Sequence, residues 1–455
     1  MKYVSTRGQS PAISFEDVLL SGPAPDGGLY MPETWPRLDF ANLDGLSYTD
    51  LTAKILSLFA GAHEWNEAIA RHARAAYEKF DDPRVAPLRQ VDGRWLLELF
   101  HGPTLAFKDF ALQLLAPLMN EALARRGQRA LVVAATSGDT GAAAVAAIED
   151  LPNVDLVVLH PKGRISDVQR RQMTTSKAAN VRNVAIEGTF DDAQSLVKQL
   201  FADHAFAREH RLAAINSINW VRIVAQAAYY VSTCLALKAF RAPLTFAVPT
   251  GNFGDVFAGY VTKKIGAPVK RLIVATNAND ILARAIRTGV YARGNVHATI
   301  SPAMDIQVAS NFERLLFAAH GRDAKTTRQL MEAFAATGTL TIQPAALGMI
   351  HDTFTTMSVD ENTTANEIRL VHEAYKLLID PHTAVAFHAG RTLEAREPVV
   401  VLATAHPAKF PDAVEKATGV KPELPERLRW ILTAPERYET LPNEIGPLKA
   451  FIGRR

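Results

Sequence analysis

Lys108 has the setting in this chain that most suggests chemistry. It lies in HGPTLAFKDF, residues 101–110, among apolar neighbours and just ahead of a helical run at 111–126. A lysine in a desolvated pocket gives up its proton more readily, and the free amine can form a Schiff base with a carbonyl. A surface lysine at a helix start would have the same local sequence. Two glycine-containing loops follow, Thr136-Ser137-Gly138-Asp139-Thr140-Gly141 and Pro249-Thr250-Gly251-Asn252-Phe253-Gly254-Asp255. Each separates a short apolar run from a helical segment. There a helix N-terminus offers unpaired amides to an anion, and glycine lets the backbone come close. Two such loops suggest two phosphate groups, although tight strand-to-helix turns alone would also account for them. Neither is a G-x-x-x-x-G-K or G-x-G-x-x-G sequence, which argues against a nucleotide. A fourth segment, Asn216-Ser217-Ile218-Asn219-Trp220-Val221-Arg222, gathers short polar donors and an arginine. Arginine with neutral donors suits a phosphate or carboxylate. On a helix Asn219 and Arg222 would share a face; capping of the following helix is the competing account.

These residues need elements to hold them. Apolar runs at 130–135, 154–160, 183–187, 245–248, 272–276 and 399–402 read as strands. Helical patterns fall at 48–60, 65–80, 141–148, 191–210, 256–265, 280–287 and 367–378. Strands alternating with helices imply parallel sheets. Continuous rather than alternating apolar runs agree, because parallel strands are covered on both faces. The turn-rich stretch at 81–88 is a plausible boundary. Expected divisions are 1–85, 86–245 and 246–455, with the C-terminal 45 or so residues unassigned.

Bulk composition narrows the classes. The chain has 455 residues, 48% hydrophobic and 21% charged, enough for a large core. Lys plus Arg is 50 against 47 Asp plus Glu, so the net charge of +3 gives no support to nucleic-acid binding. One cysteine, Cys234, rules out an internal disulfide and Cys-based metal sites. It falls in an apolar helical run and reads as inert core. The 13 histidines, among them His204, His210, His382 and His388, show no convincing metal-ligand spacing and read as structural. The start lacks an apolar leader segment, and no apolar run is long enough to span a membrane. A cytoplasmic location is expected.

Taken together, the segments resemble the threonine synthases, enzymes of fold type II that depend on pyridoxal 5'-phosphate. The resemblance rests on HGPTLAFKD around Lys108, the ATSGDTG loop, INSINWVRI and the VPTGNFGD loop. Residues 5–8 and 14–33, GTFDDAQ at 188–194 and residues 301–317 also resemble stretches of that family. It runs in order from about residue 3 to about residue 410. It implies an α/β fold like that of the tryptophan synthase β chain, with parallel-sheet domains bearing helices on both faces and an additional N-terminal domain. By resemblance, Lys108 holds the cofactor as a Schiff base and later moves protons. Gly251, Asn252, Phe253 and Gly254 cradle the cofactor phosphate, and Thr404, in ATAHPAKF, partners the pyridine nitrogen. Asp139 stands where related enzymes often carry an asparagine that meets the ring 3'-oxygen. A carboxylate there repels an anionic oxygen unless a proton is shared. Ser137, Thr140, Asn216, Ser217 and Arg222 match residues that bind the substrate phosphate.

The implied reaction converts O-phospho-L-homoserine and water to L-threonine and phosphate, by γ-elimination followed by β-addition of water. It is the last step of threonine biosynthesis and the work of a carbon–oxygen lyase acting on phosphates. The implied assembly is a monomer or a dimer, with no nucleic-acid or membrane partner and no metal. The nearest alternative is a phosphohomoserine lyase, which releases 2-oxobutyrate, ammonia and phosphate. A non-catalytic relative is disfavoured because Lys108 and both loops are present.

Overall fold

The computed structural model describes residues 1–61, 63–393 and 395–454. Two sheets carry the architecture. The smaller has five strands in the order Glu439–Pro442, Val181–Glu187, Val154–Pro161, Ala130–Ala135 and Leu212–Ala213. All of its pairings are parallel. The larger has six, in the order Phe354–Ser358, Val269–Thr276, Leu244–Pro249, Val399–Ala403, Arg94–Glu98 and Leu88–Val91. Its pairings are parallel except at the edge, where Leu88–Val91 runs antiparallel to Arg94–Glu98. The central strands are apolar along nearly their whole length, with buried Thr245 the exception, as burial on both faces requires.

The chain does not fill the sheets in sequence order. Strands from 88–98 lie in the larger sheet, beside strands from 244–276 and 399–403. The last strand returns to the smaller sheet and pairs Thr440 with Ala185. The three expected segments therefore exchange strands. The C-terminal residues, which carry no readable signal, have a definite role. Helix Ile445–Gly453 buries Leu448, Phe451 and Ile452 against the smaller sheet.

Before the sheets, strand Tyr3–Ser5 pairs antiparallel with Tyr30–Pro32. Helices Tyr48–Ala60 and Asn66–Tyr77 pack on the long helices Lys108–Arg125 and Trp220–Ala236. Buried Trp220 is ringed by Tyr3, Trp35 and Phe59 at 5.8–6.4 Å between centroids. One expected helix is two. The pattern at 191–210 forms Phe190–Ala202 and His204–Glu209, because Asp203 leaves helical geometry and caps the second helix through the Phe206 amide. Cys234 is buried, and burial pushes its thiol up to about 12, which keeps it unreactive. No helix of the described residues is long and apolar enough to cross a membrane.

Because Leu448 is fully buried between the C-terminal helix and the smaller sheet, Leu448→Ala is expected to cost about 2–5 kcal/mol in urea unfolding. A cost below about 0.5 kcal/mol would show that this helix is not part of the core.

Candidate active site

A cavity of about 470 Å³ opens where strands of both sheets end and helices begin. Every site residue that the resemblance implies lines it: Lys108, Ser137, Asp139, Thr140, Asn216, Ser217, Arg222, Gly251, Asn252, Phe253, Gly254 and Thr404. The C-terminal edge of a parallel sheet is where α/β folds place ligands.

Lys108 begins its helix, and its preceding loop is laced to the Thr404 loop. The Phe107 amide donates to the Thr404 carbonyl at 2.9 Å, the His406 amide donates to the Leu105 carbonyl at 3.0 Å, and Ala106 bridges Ala405. Lys108 is 8% exposed. Its Nζ donates to Asp139 Oδ2 at 3.1 Å and lies 4.9 Å from the Phe107 ring centroid. Burial lowers its pKa from the ordinary lysine value; Asp139 opposes that shift, and Arg222 and Lys409 reinforce it.

Asp139 opens helix Asp139–Ile148, where the helix dipole favours a negative charge. Its Oδ1 accepts from Gln169 Nε2 at 2.9 Å and faces Lys409 Nζ at 3.2 Å. Burial alone would raise this carboxyl, but the ammonium groups of Lys108 and Lys409 overcome it and hold it well below the usual carboxylate range. Gly138, at φ 125°, makes the close approach possible, because a Cβ there would sit 2.5 Å from the Gln169 amide. The Thr136 hydroxyl accepts from the amides of Gly138 and Gly141, both at 2.9 Å, which fixes the loop.

Across the cavity, the loop after Leu244–Pro249 presents the amides of Gly251, Asn252, Phe253 and Gly254. None of the four has a hydrogen-bond acceptor among the described residues. A Cβ on Gly251 would lie 2.6 Å from the Ala303 carbonyl. Phe253 holds φ 64°, a left-handed conformation that costs a non-glycine residue about 1–3 kcal/mol. Its buried ring packs between Phe312 and Phe354, which keeps it in place. A ring of unpaired amides at the N-terminus of helix Gly254–Lys264 fits a phosphate.

Arg222 is buried on helix Trp220–Ala236. Its Nη1 donates to the Ile215 carbonyl at 3.2 Å, while Nε is buried without a partner among the described residues. Burial pushes the guanidinium down to about 10, so it stays cationic at neutral pH. Asn219 does cap this helix, accepting from the Val221 amide. Its Nδ2 ties the turn to the carbonyls of Leu19 and Ser21. The segment thus divides its labour: Asn219 builds the turn, while Asn216, Ser217 and Arg222 face the cavity.

Several lining residues escape the sequence reading. Helix Phe190–Ala202 turns Phe190, Gln194, Val197, Lys198 and Phe201 to the cavity, a stripe at helical spacing whose periodicity was available. His382, which reads as structural from the sequence, also lines it. Its Nδ1 pairs with Asp380 at 2.8 Å, and its Nε2 accepts from the Ala303 amide at 3.2 Å. No local spacing signals this, because the partners lie on distant segments. Gln226 carries a buried, unpaired Oε1. Asp255 keeps an unpaired Oδ2 while its other oxygen accepts from the hydroxyls of Tyr229, at 2.6 Å, and Tyr230, at 2.9 Å.

The chain's likeness to known proteins follows this geometry. A family model described as "Pyridoxal-phosphate dependent enzyme" matches residues 82–346. Those described as "Threonine synthase N terminus" and "Threonine synthase, C-terminal" match residues 2–77 and 383–452. Threonine synthase of Pseudomonas aeruginosa is 48% identical, covering 100% of this chain and 98% of its own. A crystal structure of threonine synthase from Brucella melitensis with PLP bound has a TM-score of 0.96 at 47% identity, covering 99% of this chain and 98% of that one. The yeast threonine synthase structure has a TM-score of 0.93 at 36% identity, covering 100% and 98%. Fold and site together define a pyridoxal-phosphate-dependent enzyme of the α/β type. Within that class, the chain belongs to the threonine synthase family.

Burial raises the Asp255 carboxyl from 3.8 to about 6. A raised folded-state value means that this group's stabilisation is full below about pH 4 and is lost as pH climbs through about 6. Asp255→Asn removes that loss. In the cofactor-free protein it is expected to be more stable than the native chain at pH 7, by on the order of 3 kcal/mol, with the gap closing towards pH 4. Thermal unfolding across this range measures it; a gap independent of pH would contradict the assignment.

Proposed function

We propose that this protein converts O-phospho-L-homoserine and water to L-threonine and phosphate. The observation that carries the reading is the pairing, in one cavity, of a buried lysine with two separate sets of anion donors. The amides of Gly251 to Gly254 fit the cofactor phosphate. Arg222, with its unpaired Nε, and the polar groups of Ser137, Thr140, Asn216 and Ser217 fit the phosphate of the substrate.

When bound, pyridoxal 5'-phosphate supplies an electron sink for negative charge at the α- and β-carbons of an amino acid. Lys108 holds it covalently and, once released, takes and returns protons at the substrate carbons as a free amine. Asp139 aims that amine from 3.1 Å. The Thr404 hydroxyl, on the loop laced to that of Lys108, would partner the ring nitrogen. Arg222 and its neutral neighbours balance the charge that grows on the departing phosphate, from positions fixed before the reaction begins. The apolar walls formed by Phe107, Val197 and Phe201 keep bulk water from the reacting carbons. Asp139 could stand beside an anionic ring oxygen because the Lys409 ammonium, which does not bind the cofactor, offsets its charge. In this reading the protein acts in the cytoplasm on a small molecule, as a monomer or a dimer, without a nucleic-acid or membrane partner.

Two substitutions separate the roles. Lys108→Ala is expected to abolish the visible absorbance band of the cofactor-loaded protein and to lower turnover by at least about 10³-fold. Arg222→Ala is expected to keep that band but lose about 10²–10³-fold in turnover of O-phospho-L-homoserine. Loss of the cofactor from Arg222→Ala would mean that the two phosphate sites have been exchanged.

A further inference from the structure

A second lysine, Lys409, lies five residues beyond Thr404, is 0% exposed and reaches Asp139 of the cavity lining. Its ammonium has three oxygen partners, two in hydrogen bonds and one in an ion pair. It donates to the Thr104 carbonyl at 2.7 Å and to Gln172 Oε1 at 2.7 Å, and it faces Asp139 Oδ1 at 3.2 Å. Lys108, in contrast, has one acceptor, Asp139 Oδ2. The two lysines therefore share one carboxylate unequally.

One helix builds this arrangement. On Asp167–Thr174 and its cap, Ser166 donates its hydroxyl to the Lys409 carbonyl at 2.9 Å, Gln169 holds Asp139, and Gln172 holds the Lys409 ammonium. Residues three apart share a helix face, so a single face fixes both ends of the Asp139–Lys409 pair. Gln172 also donates its Nε2 to the Thr104 carbonyl at 3.0 Å, which closes the ring of contacts.

We propose that Lys409 is a positioning residue: it keeps its proton, occupies Asp139, and thereby leaves Lys108 as the lysine of the pair that becomes a free amine. The inference rests on the reading of Lys108 as the residue that holds the cofactor. The surrounding charges agree with the asymmetry. Around Lys108 stand Asp139, Arg222, Asp255 and Lys409. Around Lys409 stand Asp139, Asp109 and His406, and His382 also acts on Asp139. Each lysine thus has a second carboxyl nearby, Asp255 for Lys108 and Asp109 for Lys409, and Lys108 also faces the Arg222 guanidinium. Without Lys409, Asp139 would serve Lys108 alone and its ammonium form would gain. The amine would then appear only at higher pH.

The test uses the cofactor-free full chain and adds pyridoxal 5'-phosphate across a range of pH. Capture of the aldehyde by the Lys108 amine, with loss of one water, is followed by the growth of the visible band. In Lys409→Met the midpoint of the rate–pH curve is expected to move up by about one unit or more, which slows capture at neutral pH by about tenfold. An unmoved midpoint in a folded variant overturns the proposal. If the native chain develops no band at any pH, the fault lies instead with the reading of Lys108. A second measurement needs no substitution. In native cofactor-free protein labelled with ¹⁵N-lysine, Lys409 is expected to keep an ammonium signal while Lys108 loses its own first as pH rises. Loss of the Lys409 signal first would overturn the proposal even if Lys409→Met does not fold.

Discussion

Asp139 reaches Lys108 at 3.1 Å and Lys409 at 3.2 Å from a position only 4% exposed. A buried carboxylate is costly unless it is paired and hydrogen-bonded. Here two ammonium groups, a glutamine amide and a helix N-terminus meet that requirement together. Much of the surrounding architecture follows from it. The strand Ala130–Ala135 must end where Asp139 can begin the next helix. The loops holding Lys108 and Thr404 must lace together so that Lys108 and Lys409 converge on it. Helix Asp167–Thr174 must lie close enough that only glycine is tolerated at position 138.

The anion sites solve a different problem with different means. The amides of Gly251 to Gly254 are neutral and fixed by a strained but well-packed Phe253. Arg222 is charged but desolvated, and its Nε is buried without a partner among the described residues. A net charge of +3 says nothing of either, because one site is made of backbone and the other of a single buried guanidinium. The chain carries one cysteine, placed in the core, and the nucleophile-bearing side chain that lines the cavity is a lysine rather than a thiol.

The central strands and helices were legible because their apolar runs and helical periods are long and local. The run at 130–135 matches its strand end to end, and the pattern at 48–60 matches its helix. The loops after them were legible for the same reason, since a strand–loop–helix unit carries its own signature. What escaped is non-local. The strand Glu439–Pro442 is short and mostly exposed, and only its pairing with Val181–Glu187 makes it a strand. His382 and Lys409 become site residues through partners that lie far away in sequence, such as Ala303, Asp139 and Thr104. Neighbouring residue types alone carry no trace of those contacts. The expected burden of Asp139, repulsion from an anionic oxygen, was sound physics applied without Lys409 in view.

The account's central claim is that the cavity separates phosphate from the γ-carbon of O-phospho-L-homoserine and then directs water to the β-carbon. The most direct measurement is turnover of that compound in water labelled with oxygen-18, with mass analysis of both products. The account predicts L-threonine carrying the label in its hydroxyl group and inorganic phosphate carrying none. Labelled phosphate, or 2-oxobutyrate as the main product, would contradict it.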